Sequence, residues 1–136
     1  MAANVLVDAS FLVALLNRRD HNHRWAATQA TEFRRPWRTC EPVLSETFYT
    51  LGPPGTPQLI ALLRRRALIC GFQIAENIDD IIRLLQKYAD VPMSLADACL
   101  VRMTEMMPDP VLLTTDSDFN VYRRLGRQTI PCMTPH

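Results

Sequence analysis

Two apolar runs, one near each end of the chain, stop on a carboxylate: Asn4-Val-Leu-Val-Asp8 and Val111-Leu-Leu-Thr-Thr-Asp116. Short runs without alternation read as strands buried on both faces, the arrangement of a parallel sheet covered by helices. The carboxyl edge of such a sheet is where ligands bind. Acids delivered there from opposite ends of the sequence point to a site, and the nearest chemistry is a divalent metal held by oxygens.

The segments between these runs alternate helical and extended patterns, which predicts an α/β fold with right-handed crossovers. Helices are expected at Ser10 to Asn17 and Arg24 to Phe33, separated by the turn Asp20-His21-Asn22-His23. A short strand closes at Arg38 to Cys40. The next helix starts at Pro42, where a missing N–H costs nothing, and runs to Leu51. Gly52-Pro-Pro-Gly55 is expected to stop it, with a new helix from Pro57 to Arg66. A strand near Leu68 to Ile74 follows. Asn77 is then read as the cap of a helix with Ile78, Ile81, Ile82, Leu85 and Tyr88 on one face. Ser94 opens a further helix lined by Ala96, Cys99, Leu100, Met103 and Met107. After the Asp116 strand come a helical turn from Phe119 to Tyr122 and a last strand at Gln128 to Ile130.

Length and composition set outer bounds. A chain of 136 residues with 48% hydrophobic content is the size of one globular domain, expected to span residues 1–136. No apolar run approaches the length of a membrane span, and Met1-Ala2-Ala3 lacks the features of a secretory signal. A cytoplasmic protein with no membrane partner is expected. Cys40, Cys70, Cys99 and Cys132 are too far apart in sequence for a zinc or redox motif and read as free thiols. The 15 basic and 14 acidic residues nearly cancel. Fourteen of the fifteen cations are arginine, however, grouped at Arg34-Arg35, Arg64-Arg65-Arg66 and Arg123-Arg124. Arginine is the stronger phosphate ligand because its planar fork binds two oxygens at once.

Two further acids fall in first turns of helices, Glu46 and Asp97. Each has a local reading: Ser94-Leu-Ala-Asp97 fits a capping box, and Glu46 fits an exposed helix start. Asp8 also suits the cap of the helix after its strand, and Asp116 suits a turn through Asp118. Their joint geometry says more. Helices that follow parallel strands begin at the carboxyl edge, so Asp8, Glu46, Asp97 and Asp116 all face one rim. Four carboxylates crowded together must protonate unless a cation intervenes. A hard ion, Mg²⁺ or Mn²⁺, suits oxygen ligands and keeps waters for chemistry. Hydrolysis of a phosphodiester follows.

The order Val-Asp8-Ala-Ser10, Leu-Ser-Glu46-Thr-Phe-Tyr, Ser-Leu-Ala-Asp97-Ala and Leu-Thr114-Thr-Asp116-Ser-Asp118-Phe resembles the PIN domain family. In length and motif order it is similar to the VapC-type toxin ribonucleases. The Asp20-His21 turn resembles an early segment of theirs. The resemblance implies a three-layer α/β/α sandwich with a mostly parallel sheet of about five strands. It implies that Asp8 and Asp97 are the principal metal ligands and that Glu46 and Asp116 complete the catalytic set. Ser10 and Thr114 would orient Asp8 and Asp116. The implied activity is Mg²⁺- or Mn²⁺-dependent cleavage of single-stranded RNA, with Arg64, Arg65, Arg123 and Arg124 as candidate contacts to its backbone. Implied partners are a cognate antitoxin and a second copy of the chain. A non-catalytic RNA-binding module is the alternative, since it would keep the fold. A phosphotransfer enzyme of the dehalogenase or receiver type fits less well. Asp8-Ala-Ser10 lacks the second Asp of the dehalogenase motif, and the lone Lys87 sits within a helix.

Overall fold

The computed structural model describes residues 4–136, so the reading of Met1 to Ala3 lies outside the described residues. Five strands form one wholly parallel sheet in the order β3 (Leu68–Ile69), β2 (Trp37–Arg38), β1 (Asn4–Val7), β4 (Pro110–Leu113), β7 (Cys132–Met133). Val5, Leu6 and Val7 of β1 and every residue of β4 are buried, as strands covered on both faces must be. On the helical layers, α1 (Ala9–Leu16) packs on α2 (His23–Glu32) and α3 (Glu41–Arg64), while α4 (Ile78–Lys87) packs on α5 (Leu95–Met106). A two-stranded antiparallel ribbon, β5 (Arg123–Arg124) and β6 (Gln128–Thr129), stands apart from the sheet. The expected α/β/α sandwich is present.

The chain leaves β1 toward β2 and β3, then returns to the other side of β1 to form β4. Between β1 and β4 the connections therefore part in opposite directions, which opens a crevice at the carboxyl ends of those strands. The register pairs Val7 with Leu113. One residue further on, Asp8 and Thr114 come side by side.

The strand expected at Gln128 to Ile130 is present as β6, Gln128–Thr129, which pairs with β5; the fifth strand of the sheet is Cys132–Met133, beside β4. The extended run near Leu68 to Ile74 shortens to two residues, with a 3₁₀ turn at Ile74–Asn77. Asn77 starts α4, but its side chain makes no capping bond. It donates to the Gln73 carbonyl and accepts from Arg102 Nε instead. Ile81, Leu84 and Tyr88 of α4 are buried, whereas Ile78 and Ile82 of the expected core face are exposed. The aromatic core is built edge to face: Phe11 meets both Trp25 and Trp37, and Tyr122 meets Tyr88 and Phe119. All four cysteines are free thiols.

The Gly52-Pro-Pro-Gly55 segment interrupts the helix as expected: α3 is two helical stretches that meet at a kink, and the second begins at Pro53, earlier than the expected Pro57. Gly52 alone leaves helical geometry, at φ 64° and ψ −168°, and the helix resumes at once. Pro53 and Pro54 lie in the first turn of the resumed helix, where their missing N–H groups are harmless. Thr56 Oγ1 donates to the Gly52 carbonyl at 2.9 Å, satisfying the bend from within. At Gly55 a Cβ would come within 2.8 Å of Leu51 Cβ, so the chain closes on itself only because none is there.

The backbone of Gly52 lies in a region open essentially to glycine alone. Gly52→Ala is expected to cost about 1–3 kcal/mol of stability in urea unfolding. An unchanged midpoint would show that the kink relaxes without strain.

Candidate active site

Asp8 follows β1 and caps α1, with Oδ1 accepting from Ala9 N–H at 2.7 Å. Oδ2 accepts from Thr114 Oγ1 at 2.8 Å and from Ser10 Oγ at 3.1 Å. Both hydroxyls are themselves oriented by the turn after β4. Thr114 Oγ1 accepts from Asp116 N–H at 2.9 Å, and Ser10 Oγ from Thr115 N–H at 3.0 Å. The two hydroxyl protons are thus free to point at Asp8, and the end of β1 is stitched to the end of β4. Asp116 caps a 3₁₀ turn, its Oδ1 accepting from Asp118 N–H at 2.8 Å.

Asp97 enters from the first turn of α5. The expected capping box is formed: Ser94 Oγ accepts from Asp97 N–H, and Asp97 Oδ2 accepts from Ser94 N–H at 3.1 Å. Oδ2 also receives the Tyr122 hydroxyl at 3.2 Å, which bonds the Pro92 carbonyl at 2.7 Å as well. Oδ1 has no hydrogen-bond partner among the described residues. The cap therefore holds one oxygen and leaves the other available, so the structural and the functional readings of Asp97 are compatible. Tyr122 was not picked out from the sequence. Its spacing from Phe119 marks an inward ring, but nothing local signals a hydroxyl aimed at an acid in another helix.

Electrostatics tie the set together. Asp8 is 5% exposed, and burial raises its pKa from 3.8 to about 6 against its three hydrogen bonds, with the Asp97 charge pushing the same way. Burial likewise raises Asp97, helped by the negative charge of Asp116. Glu46, on the exposed side of α3, is raised by burial and then by Asp97. Asp97 is thus the acid whose field reaches the other three. Among the described residues no ion pair neutralises any of them. Burial and the nearby acids hold the Tyr122 phenol in its neutral form.

The oxygen-only donors and their unrelieved repulsion suit a hard divalent cation. The spacing is looser than a finished coordination shell. No three acidic, histidine or cysteine side chains among the described residues already converge as metal ligands. Asp8 is buried, Asp97 and Asp116 are half-buried and Glu46 is exposed.

The basic residues divide. Arg64 and Arg65 are exposed at the carboxyl end of α3, just before β3 begins, so they lie toward the opposite edge of the sheet from the acids. Arg64 there complements the helix dipole. Arg124 is bound inward, to the Thr104 and Met107 carbonyls and to Gln128 Oε1, and anchors the ribbon on α5. Arg123 follows Tyr122 directly and is held by the Asn120 and Tyr122 carbonyls, with no carboxylate partner among the described residues. His23 bonds the Ala14 carbonyl through Nδ1 at 2.8 Å, which fixes the α1–α2 turn.

A sequence model of the PIN domain matches residues 5–125. The chain belongs to the PIN domain family. Among solved structures, this PIN domain is similar in fold to VapC20 of Mycobacterium tuberculosis, described as a sarcin-ricin loop cleaving toxin. The TM-score is 0.75 at 20% identity, covering 87% of this chain and 94% of that one. No curated protein sequence matches it significantly. No helix among the described residues of this PIN domain is long and apolar enough to cross a membrane.

The raised pKa of Asp8 has a definite sign in stability. Between pH 3.8 and about 6 the folded chain holds a proton that the unfolded chain has lost, so stability falls as pH rises through that window. Above it the penalty is complete, on the order of 3 kcal/mol. Asp8→Asn is therefore expected to melt several degrees above the wild type at pH 7.5 without divalent ions, and to lose that advantage near pH 4. Added Mn²⁺ should raise the wild-type melting temperature and leave the variant unmoved. Equal melting curves at both pH values would refute an uncompensated Asp8 charge.

Proposed function

We propose that this PIN domain is a Mg²⁺- or Mn²⁺-dependent endoribonuclease acting on single-stranded RNA, and the toxin of a toxin–antitoxin pair. The observation that carries the reading is Asp8: a carboxylate buried at the crevice between β1 and β4, oriented by two hydroxyls, with Asp97 adding negative charge and no ion pair to it among the described residues. Natural folds keep such a destabilised acid where function needs it. A bound divalent ion would lower the pKa of its water and stabilise charge at phosphorus.

The chain's own residues have separable parts in this reading. Asp8 and Asp97 would hold the ion. Ser10 and Thr114 keep Asp8 in one rotamer with its lone pairs directed. Ser94 and Tyr122 hold Asp97 Oδ2, so its free oxygen keeps a fixed direction. Glu46 and Asp116 contribute through water. Arg123, next to the Tyr122 that bonds Asp97, would supply a phosphate contact. The toxin reading follows the fold shared with VapC20, and with it go a cognate antitoxin, a homodimer and a cytoplasmic site of action.

A non-catalytic RNA-binding module is the second reading. The open spacing of the acids favours it; the completeness of the acid set favours the enzyme.

Cleavage of a single-stranded RNA with Mn²⁺ separates the two. Asp97→Asn is expected to reduce the rate by more than about a hundredfold, and Thr114→Val, which removes only an orienting bond, by about ten- to a hundredfold. Folded wild type that binds RNA without cutting it would establish the module. Undiminished cutting by both Asp8→Asn and Asp97→Asn would remove the metal-site assignment.

A further inference from the structure

Beneath the acid rim lie two thiols that the acid site does not use. Cys40 leads from β2 into α3 and is the N-cap residue of that helix, while Cys99 stands in α5, two residues after Asp97. Both are buried in the core, where α3 packs on α5. Their side chains meet there, the Cys40 thiol donating to Cys99 Sγ. A thiol is a weak donor and a weak acceptor, so the bond itself adds little to stability. The pair differs from two aliphatic side chains in that it can be oxidised.

The other two thiols are not placed to compete. Thr39 N–H donates to the Ile69 carbonyl at 3.0 Å, which carries the β2–β3 register one step on and sets Thr39 beside Cys70. Side chains alternate along a strand, so Cys40 leaves the opposite face from Cys70. Cys132 belongs to β7, at the far edge of the sheet. Among the described residues no third cysteine, histidine or acid converges with Cys40 and Cys99 as a metal site would require.

We propose that Cys40 and Cys99 are a redox-active pair that closes to a disulfide when a small peroxide, hydrogen peroxide, reaches it. One sulfur takes an oxygen from the peroxide, giving a sulfenic acid and one water. The second thiol attacks that sulfur, its proton leaves with the displaced hydroxyl as a second water, and the S–S bond forms. Two thiols are oxidised and one peroxide is reduced. Because both thiols are covered, the oxidant must be small and uncharged and must enter through local opening of the fold. The carboxyl edge is the nearest entrance: Cys40 adjoins the exposed Glu41, and Cys99 lies within a helical turn of the half-buried Asp97.

Closure brings the sulfurs to about 2.05 Å and ties the start of α3 to the start of α5. Those starts carry Glu46 and Asp97. Ligand distances at a metal tolerate shifts of only about 0.2 Å, so the oxidised chain holds Mn²⁺ less well. This consequence rests on the nuclease reading, whereas the disulfide itself does not.

The test treats the full chain, reduced and free of metal, with millimolar hydrogen peroxide. The wild type is expected to lose two of its four thiols, counted in denaturant. Its mass should fall by about 2 Da, and digestion should yield one cross-linked peptide pair holding Cys40 and Cys99. The Cys70→Ser, Cys132→Ser double variant should behave in the same way. Cys40→Ala and Cys99→Ala should form no disulfide and gain oxygen on the thiol left alone. If either of these fails to fold, the other and the double variant still decide. Mn²⁺ should raise the melting temperature of the oxidised wild type by less than about half as much as that of the reduced chain. RNA cleavage should fall at least about tenfold, and dithiothreitol should restore both. Four free thiols after peroxide, or a disulfide through Cys70 or Cys132, overturns the proposal. A Cys40–Cys99 disulfide that leaves the Mn²⁺ shift intact overturns its link to the acids. The same disulfide in a chain that never cuts RNA supports the pair and strikes only the nuclease reading.

Discussion

The short bonds from Thr114 and Ser10 to the Asp8 carboxylate join the two halves of the molecule. β1, α1, β4 and the turn after β4 all end on that carboxylate or on a hydroxyl that touches it. Hydrogen bonds of this kind ordinarily favour the charged form and lower a pKa. Here burial prevails and the pKa rises, because three donors do not replace the hydration lost at an almost fully covered acid. The site is therefore well ordered and electrostatically poor at the same time. That combination fits a group waiting for a counter-charge better than one that only caps a helix.

The rest of the acid set follows from the direction of the chain. Parallel strands deliver their carboxyl ends to one edge, and the helices after them, or returning toward the next strand, start from that same edge. Asp97 reaches it through the first turn of α5, fixed by a capping box that any helix could use. Its second function comes only from what lies opposite. Asp8, Asp116 and Glu46 all feel or exert its charge. A local stabilising device has been placed where its spare oxygen faces other acids, and the added repulsion is a cost the fold carries for the site.

The same edge explains the bend in α3. At Gly52 a single residue with positive φ turns the chain, with a helical stretch on either side. The bend puts a proline-lined cleft and an uncovered tyrosine one turn from Glu46, and brings the carboxyl end of α1 against its other flank. Packing on α1 and the exposed face on the far side are two consequences of one glycine.

The sequence by itself determined the α/β class, the positions of β1 and β4 and most helix boundaries. These depend on local pattern: unbroken apolar runs, helical spacing and capping residues leave their mark within a few positions. Strand pairing leaves no such mark: the strand at Gln128–Thr129 pairs with β5, and Cys132–Met133, without a local signal, completes the sheet. The helical stretch after Gly52 starts at Pro53 and not at Pro57, since two prolines just after the glycine suit a first turn. Tertiary contacts alone separated arginines that look alike in sequence, sending Arg64 and Arg65 toward the far edge, turning Arg124 inward and leaving Arg123 beside Tyr122. The Tyr122 hydroxyl on Asp97 joins residues 25 positions apart. Local pattern reports which way a side chain faces, but only the packed fold says what it meets there.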